Sequence, residues 1–323
     1  MISIALDAFG GDLAPDVVVQ GAINAVNSSD GKFCVVLCGP EAEVKAKLKQ
    51  FGYEGKLIQV VDAPELVAMD EHPTEVLRKK QHSGLVMCVA LQKKGLVQAS
   101  VSAGNSGAMM ASCLMILGRT SENFARPPIG CIIPTAKGHS VLVDAGANVD
   151  EKPVVLKDFA LAGSVFAESH LGIANPKVGL LNMGEEEKKG PAAVQETYQL
   201  LKSAPVNFIG NIEGRDVVLG NADVIVCSGF VGNVLLKMYE GFYELHTRTF
   251  GVIDTPAGQA FNEAWDYRNT GGALLLGLKG TGIIAHGRSD EKAIEQALKV
   301  AYTFAANKVP EKIGQKLAGI EAQ

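Results

Sequence analysis

The chain of 323 residues has no apolar run near the ~20 residues that a membrane-spanning helix needs. It has no C-x-x-C pair and no Cys/His cluster at zinc-ligand spacing, so the sequence asks for no metal. Cysteines are few and scattered. Cys34, Cys38, Cys131 and Cys227 fall in or beside apolar strand-like runs, which reads as small buried hydrophobes in a reducing compartment. There is no P-loop pattern and no G-x-S-x-G elbow, which speaks against a P-loop nucleotide enzyme and against a hydrolase serine. Gly280-Thr-Gly282-Ile-Ile-Ala285 spells a dinucleotide fingerprint, but it leads into a β-branched run instead of out of one, so no cofactor is expected. The net charge of −5 lacks the basic excess of a nucleic-acid surface, so no nucleic-acid partner is expected. The chain starts directly on the strand-like Ile2-Ser-Ile-Ala-Leu6, which predicts no leader and a cytoplasmic protein.

What is present is an ordinary globular composition, 47% hydrophobic and 20% charged, long enough for a large core. Strand-like runs at 2–6, 33–38, 57–62, 98–102, 130–133, 140–144, 177–182, 223–227 and 282–285 alternate with helical patterns. The helical patterns cover 15–26, 41–51, 83–94, 106–117, 152–171, 191–201 and 290–307. This alternation predicts an α/β fold with a mostly parallel sheet covered on both faces, as one unit over 1–323 or as two lobes. Residues 237–271 break the alternation. They read as helical with an interruption from Gly251 to Pro256, and they crowd together Tyr239, Phe242, Tyr243, Phe250, Phe261, Trp265 and Tyr267. Such a segment is either an ordinary helical cap or an interface with a second subunit or an apolar surface.

Six short segments place glycine with Asn, Asp or Ser directly after an apolar run. They are Asp7–Asp12, Ser102–Gly107, Asp144–Asp150, Asn182–Gly190, Ser228–Asn233 and His286–Asp290. In an open parallel sheet such strand ends share one edge, where ligands bind. Glycines such as Gly10 and Gly11 let backbone N–H groups approach a ligand, and a following helix N-terminus favours anions. The pattern therefore predicts an anionic substrate in a loop-built cleft. Asp7, Asp12, Asp144 and Asp150 suit helix caps and Asx-turns, or orientation of the loops, or a metal. The Gly-Ala-Asn148 run between the last two raises the functional reading there. Asn105 and Asn233 stand where helices begin. Each is an amide donor to an oxyanion, or a residue tolerated in left-handed backbone. Lys188 and Lys189 follow three glutamates, as a solvated charge run or as a phosphate partner. His286 is the one histidine that ends a strand, either structural or placed to donate to phosphate. Arg78-Lys-Lys80 caps a helix end or meets an acidic partner.

Taken together these segments resemble the bacterial phosphate acyltransferase (PlsX) family of phospholipid synthesis. The likeness runs through Leu6–Asp12, Val101–Gly107, Arg126-Pro127, Asp144–Asp150, Gly163-Ser164, Val178–Glu187, Asn207–Asn211, Glu213, Gly229–Val234, Gly271–Gly277 and His286-Gly287. The resemblance implies a three-layer α/β/α fold related to isocitrate and isopropylmalate dehydrogenases, and a homodimer with peripheral contact at the inner membrane surface. It implies acyl transfer from acyl carrier protein to inorganic phosphate. Phosphate is itself the nucleophile, which suits a chain with no serine or cysteine elbow. Lys189 and Asn233 carry over as binding and catalytic residues, and His286 is grouped with them. Asp7, Gly10, Gly11, Asn105, Ser106, Asn148, Lys188 and Ser228 are expected to bind substrate. The family commonly has Asp where this chain has Ser228, Met at Phe9 and Thr at Ser106, and a longer stretch between Asn233 and Gly271. Acidic carrier protein would dock on Arg78, Lys79, Lys80, Lys93 and Lys94. Two other readings stay open: a transferase using acyl-coenzyme A, and a scaffold that docks carrier protein without turnover.

Overall fold

Short continuous apolar runs and 3.6-period stripes alternate through most of the chain, and they become strands and helices in turn. The computed structural model describes residues 1–120, 122, 127–251 and 255–321. Arg126 of the family-like Arg126-Pro127 lies outside them, as do residues 252–254 of the expected interruption. The chain divides into two compact units, Met1–Arg119 with Arg268–Pro310, and Thr120–Tyr267 with Glu311–Gln323.

The first unit opens with β1 (Ile2–Asp7), α1 (Asp16–Asn27), β2 (Phe33–Gly39), α2 (Glu41–Gln50) and β3 (Ile58–Asp62). It continues with α3 (Pro73–Lys79), α4 (Gly84–Lys93), β4 (Ala99–Ser102) and α5 (Ser106–Ser112), which runs on as a wider turn to Leu117. The second unit holds β5 (Ile129–Thr135), β6 (Gly138–Val143), α6 (Pro153–Phe166), β7 (Lys177–Leu181) and α7 (Ala192–Lys202). After these come β8 (Asn207–Ile212), α8 (Gly214–Leu219), β9 (Val224–Val226), α9 (Gly229–Phe250) and α10 (Pro256–Trp265). The chain then returns to the first unit as β10 (Ala273–Leu275), β11 (Thr281–Ile284) and α11 (Glu291–Ala306), and closes with α12 (Val309–Glu321).

In the first unit the strand order is β3-β2-β1-β4-β11-β10. The first five are parallel and β10 is antiparallel to β11. In the second the order is β5-β6-β9-β7-β8, with β5 antiparallel to β6 and the rest parallel. The expected mostly parallel α/β arrangement is therefore found in each unit. Parallel strands buried on both faces read as near-continuous apolar runs, and β2 is buried at every residue. α1 buries Val18, Val19, Ala22, Ile23 and Val26, the stripe its spacing predicts. α6 is buried on nearly all sides, which matches its scarcity of charge. β8, β10, α3, α8 and α12 add to the elements that the sequence pattern predicts. The first four are short or interrupted by glycine. In α12 the buried Val309, Ile313 and Leu317 stand at helical spacing, a signal that the sequence does carry.

Candidate active site

Three of the six glycine loops gather in the first unit, at the C-terminal ends of the parallel neighbours β1, β4 and β11. Asp7 ends β1 and is buried. Ser102 Oγ, at the end of β4, donates to Asp7 Oδ2 at 2.8 Å, and Phe9 N donates to Oδ1 at 3.4 Å. Burial pushes the Asp7 carboxyl up to about 6 against these two donors. Loop contact leaves no room at Gly10, where a Cβ would lie 2.6 Å from Asp7 Oδ2 and 2.8 Å from Gly104 N. Gly11 sits beside Gly287 O, and Asp12 N donates to that oxygen at 2.7 Å. His286 is exposed on the loop after β11. Its Nδ1 accepts from Arg288 N at 3.1 Å, so a neutral ring carries its proton on Nε2. Ser106 is the exposed first residue of α5.

Asn105, expected as an amide donor to substrate or as a left-handed residue, holds protein partners. Its Oδ1 caps α5 by accepting from Ala108 N at 2.9 Å. The two hydrogens of its Nδ2 are shared among the carbonyls of Ala68, Met69 and Glu71 at 3.2, 3.1 and 2.8 Å. The carboxamide is fully engaged by protein. Its backbone is not left-handed either, with φ −59° and ψ 107°. Capping and oxyanion binding need the same residue type, so sequence could not separate them. Of the basic cluster, Lys80 Nζ donates to Leu66 O and pairs with Glu71, while Arg78 and Lys79 pair with Glu75.

The other three loops gather in the second unit, after β6, β9 and β7, which are likewise parallel neighbours. Asp144 directly follows β6, has no exposure and organises its loop. Its Oδ1 accepts from the backbone N–H of Ile129, Gly146 and Ala147 at 2.9, 3.2 and 3.1 Å. Its Oδ2 accepts from Asn148 N and Asn148 Nδ2 at 2.8 and 2.9 Å. Burial raises the carboxyl and these donors pull it back. α9 docks on this loop. Gly229 N donates to Asn148 O at 2.7 Å, and a Cβ on Gly232 would fall 1.8 Å from Asp144 O. Ser228 caps α9, its Oγ accepting from Val231 N at 3.5 Å. Asn233, one turn in, is exposed beside Gly146. Asn148, Ser228 and Asn233 are thus brought together at the positive end of a 22-residue helix.

Lys188 and Lys189 are exposed on the loop after β7. Each preceding glutamate has a partner. Glu185 pairs with Arg215 at 3.3 Å, Glu186 with Lys189 at 3.9 Å, and Glu187 with Lys202 at 3.4 Å. Exposed pairs of this kind contribute about 0–1 kcal/mol each, so they shape the loop without fixing it. All six cysteines are buried. Burial pushes the Cys113 and Cys131 thiols up to about 12 and raises those of Cys88 and Cys227, so these four offer no thiolate nucleophile. Among the described residues no group of three His, Cys, Asp or Glu is arranged to hold a metal. No described helix is long and apolar enough to cross a membrane.

The architecture is an α/β fold of the phosphotransacetylase-like kind. A phosphotransacetylase from Streptococcus pyogenes superimposes with a TM-score of 0.64 at 17% identity, covering 94% of both chains. A branched-chain phosphotransacylase from Enterococcus faecalis gives 0.63 at 14% identity, covering 94% of this chain and 99% of its own. Likeness at that identity speaks for fold alone. The sequence narrows the class. A family profile described as fatty acid synthesis protein matches residues 2–312. Proteins named phosphate acyltransferase are 46% identical in Desulforamulus reducens, over 93% of each chain, and 45% identical in Dictyoglomus turgidum, over 97% of this chain and 96% of the relative. The chain belongs to this fatty acid synthesis protein family, whose relatives are acyltransferases.

Proposed function

We propose that the chain transfers a fatty acyl group from the thioester of acyl carrier protein to inorganic phosphate, releasing acyl phosphate for phospholipid synthesis. The observation that carries this reading is the 46% identity to a named phosphate acyltransferase across 93% of both lengths. The chemistry needs little from the protein beyond placement. A phosphate oxygen attacks the thioester carbonyl carbon, the carbonyl becomes a tetrahedral oxyanion, and the C–S bond breaks. The carrier leaves as a thiolate and takes a proton from water. Catalysis is then desolvation and orientation of phosphate, together with donors for the oxyanion. Lys189, with Lys188 beside it, holds phosphate. Asn233, at the N-terminal end of α9, donates an amide hydrogen to the developing oxyanion, and Asn148 and Ser228 fix the loop and helix around it. His286 stands on the loops of the first unit.

A homodimer and peripheral contact with a membrane surface belong to the same proposal, as does a three-layer relationship to isocitrate and isopropylmalate dehydrogenases. Val234, Met238, Phe242 and Leu245 support an apolar contact. They are 56%, 54%, 47% and 64% exposed along α9. The acyl-coenzyme A reading is separated by offering both donors to the same enzyme. Purified chain, long-chain acyl carrier protein and radioactive phosphate should give labelled acyl phosphate and free carrier thiol in equal amounts. No label in the acyl product refutes phosphate transfer. Labelling from acyl-coenzyme A with none from the carrier refutes the donor assignment.

A further inference from the structure

β8 carries a bulge. Against β7, Val178 stands opposite Phe208 and Gly179 opposite Gly210, so Ile209 is the extra residue. Gly210 takes φ +100°, the positive backbone angle that suits glycine. An extra residue shifts the two-residue alternation and re-aims the side chains beyond it. The next side chain along the strand is Asn211, 6% exposed. Asn211 Nδ2 donates to Glu186 O at 2.9 Å, in the loop after β7. The same carbonyl accepts from Lys189 N at 3.0 Å. From the base of the loop, Asn182 Nδ2 donates to Lys189 O at 2.9 Å. Both backbone polar groups of Lys189 are therefore tied down, one through the carbonyl that Asn211 holds.

Asn211 makes this bond with an acceptor left over. Only its nitrogen can donate to Glu186 O, which fixes the orientation of the carboxamide and leaves Oδ1 buried. Among the described residues Oδ1 has no hydrogen-bond partner. One bond formed and one buried acceptor unpaired roughly cancel in stability, and an apolar side chain of similar size would fill the space with neither. Fold stability gives no reason for an asparagine here, whereas placement of the loop does. We propose that Asn211 is a positioning residue for phosphate transfer, holding the Glu186–Lys189 turn so that Lys189 meets phosphate in one geometry. This rests on the reading of Lys189 as the phosphate-holding residue.

The test is a double-mutant cycle of Asn211→Leu and Lys189→Ala, read as the phosphate kcat/KM beside the melting temperature. Asn211→Leu should keep the melting temperature and the donor KM, and lower the phosphate kcat/KM roughly ten- to a hundredfold. Asn211→Gln, which keeps an amide donor, should recover part of that loss. With Lys189→Ala already in place, Asn211→Leu should cost almost nothing more, because the two act as one unit. An equal factor in both backgrounds overturns the proposal and leaves Lys189 standing. No effect of Lys189→Ala by itself overturns the reading of Lys189 and the proposal with it. Should Asn211→Leu fail to fold, Asn211→Ser takes its place in the cycle. Failure of both to fold makes the residue structural and overturns the proposal.

Discussion

Asp7 places a carboxyl where water hardly reaches, and Ser102 Oγ and Phe9 N–H compensate in part. Burial raises its carboxyl from 3.8 to about 6. A raised carboxyl binds its proton more tightly in the folded chain than in the unfolded one. Its contribution to stability is then complete below pH 3.8 and is lost as the pH rises through about 6. A shift of that size corresponds to about 3 kcal/mol. Asp7→Asn removes the ionisation and keeps a side chain of the same shape. In urea unfolding from pH 4 to 7.5, every other titrating group cancels in the difference between variant and parent. That difference should move in favour of the variant by up to about 3 kcal/mol as the pH rises. Parallel pH curves for the two proteins refute the assignment. The sequence could point to Asp7 as a strand-end carboxylate, but not to its burial. That depends on Ser102 and Gly10 coming from other segments, which no local pattern encodes.

α9 shows how one helix can hold opposite requirements. At its start, a Cβ on Gly232 would lie 1.8 Å from Asp144 O and 2.9 Å from Asp144 C. Backbone on both sides cannot give way cheaply, so Gly232→Ala must lift the helix from the loop of Asp144. Overpacking of this kind costs roughly 1–3 kcal/mol, and turnover should fall with it because Asn233 and Ser228 ride on the same turn. Further along, Gly241 has nothing within 4 Å of its Cβ position. There Gly241→Ala should stabilise by roughly 0.5–1 kcal/mol, since alanine has less backbone freedom to lose in a helix. Thermal unfolding of the two variants should give shifts of opposite sign, and shifts of the same sign would refute the docking described for α9. The helix was legible only in part. The sequence marks 237–271 as helical and a helix start near Asn233, but it does not join the two into one helix that begins at Gly229. Ser228 caps that start, and its docking on Asp144 is a tertiary contact. β8 was illegible for another reason. Asn207-Phe-Ile-Gly-Asn-Ile212 has a glycine where alternation should continue, and the bulge at Ile209 erases the period that identifies a strand. The long parallel strands β1 and β2 were readable because an apolar run buried on both faces needs no partner to be recognised.

Across the whole molecule the chain builds the same device twice, three glycine loops at the ends of parallel strands in each unit, and the functional reading makes the second set an anion holder. A ligand that binds only the folded chain stabilises it by RT ln(1 + [L]/Kd), which is about 2.7 kcal/mol at a hundredfold excess over Kd. Inorganic phosphate should therefore raise the melting temperature, by about 1.4 kcal/mol of stability for each tenfold increase once Kd is exceeded. Phosphate and sulfate also stabilise proteins generally, because both ions are excluded from protein surfaces. That general effect is the same in Lys189→Ala, whose exposed side chain packs no core. Subtracting the variant's titration from the parent's isolates the specific site. The difference should saturate with phosphate and be absent with chloride at equal ionic strength. Sulfate, a tetrahedral oxyanion that cannot become an acyl phosphate, should reproduce the saturation and inhibit turnover in competition with phosphate. Identical titrations for parent and Lys189→Ala would mean that phosphate is held elsewhere, and the loop after β7 would lose its assigned role.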